Sequence, residues 1–168
     1  MKLILIFFHL VFSKQNGLGM EYLQTDFKDF LNNKLYNSQE EYTYKEVYIN
    51  NNSYLIFPVI NNENVPTNGV IFNIPPWIKK YKKLEKLTFN GLYIHEIPNE
   101  LIELENLKYL KLALPRDINL ENFLKKIKKI EPLNYLDISS SVINESQYNQ
   151  IIKTLKNVKI IDNMRLTE

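Results

Sequence analysis

Between Leu84 and Leu112 the chain reads LEKLTFNGLYIHEIPNELIELENLKYLKL, with aliphatic or aromatic side chains at Leu84, Leu87, Phe89, Leu92, Ile94, Ile97, Leu101, Leu104, Leu107, Leu110 and Leu112. A helix would keep a three-four rhythm throughout, and a strand would alternate throughout. Here alternation gives way to helical spacing, and the pattern restarts at Leu107. It predicts a short strand, then an arc of helical or irregular backbone, then another strand.

The restart recurs. Units begin at Leu84, Leu107, Leu133 and Val158, which are 23, 26 and 25 residues apart. Each carries apolar residues at its first and fourth places and, in the first three, at the sixth: Leu84, Leu87, Phe89, then Leu107, Leu110, Leu112, then Leu133, Leu136, Ile138. The last unit keeps Val158 and Ile161 but has Asn163 at its sixth place. Within a strand, places four and six point to one side and places three and five to the other. A coil of this size cannot bury its apolar side alone, so neighbours must stack and pair their strands in parallel.

These units resemble the leucine-rich repeat family, whose repeats open LxxLxL. In the first unit Ile97-Pro98, Leu101 and Leu104 also fall where that family's IPxxLxxL half lies. A partial earlier unit, GVIFNIPPWIKKYKK, holds Ile71, Ile74-Pro75, Ile78 and Tyr81 in the same phase. The resemblance covers residues 61–168 and implies an α/β fold, a short leucine-rich-repeat-like solenoid with a parallel β-ladder. One departure stands out. The family places Asn at the ninth position, where its amide satisfies backbone groups across coils, and this chain has Leu92, Pro115 and Ser141 there. Ser141 alone can serve, and Pro115 should distort the second coil around ALPRDIN, since it lacks an N–H and fixes φ.

Residues 14–60 read as an N-terminal cap of a helix and a hairpin. Leu23, Phe27, Phe30, Leu31 and Leu35 share one helical face. The β-forming runs on either side of Asn50-Asn51-Asn52 suit a hairpin. Residues 1–13, MKLILIFFHLVFS, have a basic start, a short apolar run and small side chains before a cleavage point after Ser13. That is the outline of a secretory leader, too short to span a membrane. Export follows from it; if the run is instead a core element, the chain is cytoplasmic.

Chemistry is sparse. The 168 residues include no cysteine, which removes disulfides, thiolate metal sites and a cysteine nucleophile. A net charge of +2 does not favour nucleic acid as a partner. No phosphate-binding glycine loop and no metalloprotease or esterase motif occurs. No catalytic residue, metal ligand or cofactor is expected. His95 reads as a surface or packing residue, and the carboxylates Glu96, Glu100, Glu103 and Glu105 as a solvated face of one coil. Lysines at 79, 80, 82 and 83 precede the first unit, Glu100, Glu103 and Glu105 the second, and lysines at 125, 126, 128 and 129 the third. Stacking would set these segments side by side with alternating sign, which favours the correct register.

In the resembled family the open, concave side of the ladder commonly recognises partners. By place, the third position here stacks Lys86, Tyr109, Tyr135 and Ile160, and the fifth stacks Thr88, Lys111, Asp137 and Asp162. Tyrosine gives large contact area at low entropic cost. It also covers sheets as an ordinary cross-strand neighbour. The expected function is non-catalytic recognition of another protein through Lys86, Thr88, Tyr109, Lys111, Tyr135 and Asp137. One alternative is a structural or adhesion role through another face; a further one is hydrolysis of surface polysaccharide by the glutamates.

Overall fold

The computed structural model describes residues 22–32, 42–51 and 70–163. The expected leader at 1–13 and the second arm of the expected hairpin lie outside them. The strands are β1 (Tyr22–Asp26), β2 (Glu46–Asn50), β3 (Val70–Ile71), β4 (Lys86–Tyr93), β5 (Tyr109–Ala113), β6 (Tyr135–Asp137) and β7 (Lys159–Ile161). The helices are α1 (Phe27–Asn32), α2 (Asn99–Ile102), α3 (Leu120–Ile127) and α4 (Glu145–Thr154), with a 3-10 helix over Pro76–Lys80. Among the described residues all seven strands join one sheet, ordered β1-β2-β4-β5-β6-β7 with β3 also on β4, and every pairing is parallel. This is the stacked solenoid that the repeats predict.

The repeat is visible in the backbone. Each coil ends in the same tight turn, in which an amide bonds the carbonyl three residues earlier: Leu84 to Tyr81, Leu107 to Leu104, Leu133 to Ile130 and Val158 to Leu155. Apolar residues at places one, four and six then turn inward. Leu84, Leu87, Leu107, Leu110, Leu136 and Ile138 are fully buried in one continuous core. The returning half starts at Ile-Pro in two coils. Pro75 and Pro98 sit just before the 3-10 helix and α2, with φ near −70° and their carbonyls accepting from Ile78 and Leu101. Proline suits this place because its fixed φ prepares the first turn and its missing N–H is not needed there. Longer arcs hold longer helices. α4 opens with a reciprocal capping box between Asn144 and Gln147.

Where the family's asparagine is absent, other groups do its work. Ser141 Oγ accepts from the Leu114 amide of the preceding coil at 2.9 Å, while the Val142 amide bonds the Leu114 carbonyl. Nearer the N-terminus, the Asn51 side chain reaches the Gly91 carbonyl at 3.2 Å and Asn90 donates to Asn50 at 2.8 Å. Of the alternating charges, Lys79 faces Glu103 at 4.0 Å as expected, while Lys126 bonds Glu96, outside the expected acidic segment, at 2.8 Å.

Four details differ from the sequence reading. First, residues 22–26 are a strand, not the start of a helix, and the helix begins at Phe27. Asp26 Oδ1 accepts the Lys28 amide and so caps that start. Second, β2 is no hairpin arm in this sheet: β1 occupies one of its edges and β4 the other, so the ladder starts at Tyr22. Third, Ile71 is 58% exposed and Phe72 fills the core in its place. Its amide bonds the Tyr93 carbonyl, which sets this phase one residue off. Fourth, the largest register change is not at Pro115. Pro115 merely accepts from Ile118 in a turn. The shift lies opposite β5, between Thr88 and Tyr93 of β4, where Gly91 takes φ of 68°, a left-handed value that glycine adopts without penalty.

Aromatic rings fill the first coils. Phe30 packs on Trp77 at 4.3 Å, and Tyr81 lies 4.5 Å from Tyr42, with Phe72 against Phe89. Replacing Leu110 by Ala in the middle of the stack should cost about 2–5 kcal/mol. Ser141→Ala, which orphans a buried amide, should cost about 1–3 kcal/mol. Urea unfolding measures both. A Leu110→Ala protein as stable as the parent would contradict the stacked core.

Candidate functional site

The open side of the ladder is built from places three and five of each strand. Register sets one row as Tyr22, Glu46, Lys86, Tyr109, Tyr135 and Lys159, and the next as Gln24, Tyr48, Thr88, Lys111, Asp137 and Ile161. All six residues expected from sequence therefore meet in two adjacent rows. The last coil is the exception. After the common turn at Val158, β7 pairs with β6 one residue early, with Lys159 opposite Tyr135 and Ile160 opposite Leu136. Lys159 thus stands beside Tyr135 where the repeat pattern put Ile160, and Ile161 stands beside Asp137 where it put Asp162.

The rows join into one cation–aromatic stripe. Tyr22 meets Tyr48 edge to face at 6.5 Å. Lys86 Nζ lies 5.2 Å from the ring centres of both Tyr48 and Tyr109, held between them. Tyr109 tilts against Tyr135 at 6.4 Å, and Lys159 Nζ covers the Tyr135 ring at 5.9 Å. An ammonium over an aromatic face is attracted to the negative ring quadrupole. Polar contacts lock the centre of this stripe. The Tyr48 hydroxyl donates to Glu46, whose other neighbour is Lys86 at 3.8 Å. The Tyr109 hydroxyl donates to Asp137 Oδ2 at 2.7 Å, and Lys111 approaches the same oxygen at 3.9 Å. Asp137 Oδ1 accepts from the Ser139 amide and hydroxyl at 3.0 and 2.7 Å.

These contacts shift the titrations. Burial alone would raise the Asp137 carboxyl, but the Ser139 hydroxyl and amide, the Tyr109 hydroxyl and Lys111 together hold it below its ordinary value of 3.8. Burial, then the bond to Asp137, pushes the Tyr109 phenol well above the tyrosine range. The interaction with Tyr48 raises the Lys86 ammonium against the opposing effect of burial.

Exposure divides the expected residues. Tyr135 is 42% exposed, whereas Thr88 and Asp137 are buried beneath their neighbours at 3% and 5%. Thr88 flanks Tyr48 and Lys111 in its row, and its hydroxyl is buried without a hydrogen-bond partner. Thr88 and Asp137 therefore lie beneath the face rather than on its exposed surface. Sequence reasoning missed Tyr22, Glu46, Tyr48 and Lys159. A signal for β2 was present: Tyr44, Val47 and Ile49 repeat the first, fourth and sixth places of the repeat. The alternative hydrolytic carboxylates lie on the helix side, where Glu96 and Glu103 face lysines, and His95 stands 3.9 Å from Asp117. Among the described residues no group of three or more His, Asp or Glu is placed to hold a metal ion, and no helix is long and apolar enough to cross a membrane.

Fold and face together define a leucine-rich-repeat-like α/β solenoid. Among solved structures the chain is similar to a leucine-rich-repeat protein of Leptospira interrogans, with a TM-score of 0.46 and 22% identity over 70% of this chain. It spans 25% of that protein's length. No family model and no curated protein matches the chain.

Two outcomes follow for the face. A carboxyl with a depressed folded pKa contributes stability that is complete above its unfolded value, near 3.9, and is lost as pH falls through the folded one. Acid unfolding of the parent should therefore steepen below about pH 4, and Asp137→Asn should flatten that part of the curve. Thr88→Val, which removes an orphaned hydroxyl at nearly constant shape, should leave stability unchanged or raise it in thermal unfolding.

Proposed function

We propose that the chain recognises another protein, without catalysis, through the open face of its ladder. The observation that carries this reading is the continuous stripe from Tyr22 to Lys159. It is broad, rich in tyrosine and held rigid by the Tyr109–Asp137 and Lys86–Glu46 contacts. Rigid aromatic surface loses little entropy on binding, which is why tyrosine is enriched where interfaces derive their affinity. Helices and turns cover the opposite side, where charges pair as Lys79 with Glu103 and Lys126 with Glu96. Export is supported by the basic-led apolar run at residues 1–13.

Immobilised full-length chain should retain partner proteins from an extract of its native host. A Tyr109→Ala/Tyr135→Ala protein that keeps its circular dichroism should lose them, while Lys125→Glu on α3 should not. Undiminished retention by the folded double variant would reject the open face as the recognition surface. For export, the intact mass of the protein recovered from its host should correspond to cleavage after Ser13.

A further inference from the structure

Charge on the open face is distributed unevenly. Lys86 has Glu46 at 3.8 Å and Lys111 has Asp137 at 3.9 Å. Where the strands begin, Lys108 has Glu85 at 2.9 Å. Each of these cations is already balanced within the protein. Lys159 is not: it is exposed, makes no ion pair among the described residues, and its ammonium rests over the Tyr135 ring. Beside it stand the most exposed tyrosine of β4 to β7 and the half-buried Ile161. This juxtaposition exists because β7 enters the ladder one residue early. Without that slip, Ile160 would neighbour Tyr135 and Asp162 would neighbour Asp137, leaving no cation at the corner.

We infer that this corner takes an acidic peptide segment, with an Asp or Glu carboxylate on the Lys159 ammonium and an adjoining apolar side chain against Tyr135 and Ile161. The inference rests on the reading of the open face as a protein-recognition surface and names the chemistry that the surface selects. Its physical basis is charge complementarity. A partner carboxylate placed here completes a cation that has no ion pair among the described residues. The same group placed over Lys86 or Lys111 would compete with Glu46 or Asp137. A basic segment would meet Lys159 with like charge, and like-charge placement at an interface disfavours the wrong partner. The aromatic neighbour strengthens the site, since part of the ammonium is already withdrawn from water by the ring.

The test uses the full chain and a phage-displayed library of short random peptides as probe. Peptides selected by the parent should be enriched in Asp or Glu next to an apolar residue. Lys159→Gln should weaken them by about tenfold or more, the size of one lost charge-assisted contact. Lys159→Glu should reverse selection toward Lys- or Arg-bearing peptides. Tyr135→Ala should also weaken binding, while Lys125→Glu on α3 should leave it unchanged. Peptides that lose binding in Tyr109→Ala/Tyr135→Ala but show no acidic bias and ignore Lys159→Glu would overturn this inference and leave the open-face reading standing. Peptides indifferent to every open-face substitution would overturn both. Absence of any enrichment over an empty support, or binding of oligosaccharides in place of peptides at this corner, would overturn the acidic-peptide assignment.

Discussion

A single coil of this chain cannot bury its own apolar side, and only the coil above and the coil below can keep it dry. Leu87, Leu110 and Leu136 lie in register, each the second residue of its strand and each fully buried by its neighbours. Parallel pairing follows from this, because every coil travels the same way round before it meets the next. So does the common turn that closes each coil. The turn delivers the next strand at a constant height, and the ladder's hydrogen bonds then hold the layers together. Everything else in the molecule is arranged around that stack.

The open face is a by-product of the same constraint. Stacking consumes places four and six and leaves places three and five facing outward in rows. A row of neighbouring strands brings side chains within reach of each other at every step, so any charges placed there interact. In this chain they are mostly settled internally: Glu46 with Lys86, Asp137 with Lys111 and Tyr109. The result is a stiff surface whose rings cannot easily reorient. Burial of Thr88 and Asp137 beneath that surface is the consequence of long neighbours closing over short ones.

Departures from the repeat are where individuality enters. Gly91 lets β4 bend and continue past its pairing with β2, which makes room for β3 on the same strand. Ser141 restores one inter-coil bond that the absent asparagine would have made, and Asn51 restores another. The one-residue offset in the pairing of β7 with β6 sets Lys159 and Ile161 at the last corner, where the repeat would set Ile160 and Asp162. Each of these is a backbone decision with a side-chain consequence.

The apolar positions by themselves determined the architecture. Once places one, four and six recur with helical spacing between them, no arrangement other than stacked coils buries them, and the six residues of the open face follow by alternation. Ser141's bond and the alternating lysines and glutamates were legible for the same reason: their positions in the repeat place them against a neighbouring coil. The N-terminal coils were not, because Leu23, Phe27 and Phe30 satisfy a helical face as well as a strand followed by a helix. A tyrosine at the first place of the β2 coil also hides the LxxLxL pattern. Only pairing with β2 decides Tyr22–Asp26 as a strand, since those backbone groups find their partners across the ladder. Likewise the one-residue slip at β7 costs nothing in the sequence pattern, where Ile160 and Ile161 are both acceptable inward residues. Pairing with β6, which sets Ile160 opposite Leu136, chooses between them and with that choice sets Lys159 beside Tyr135.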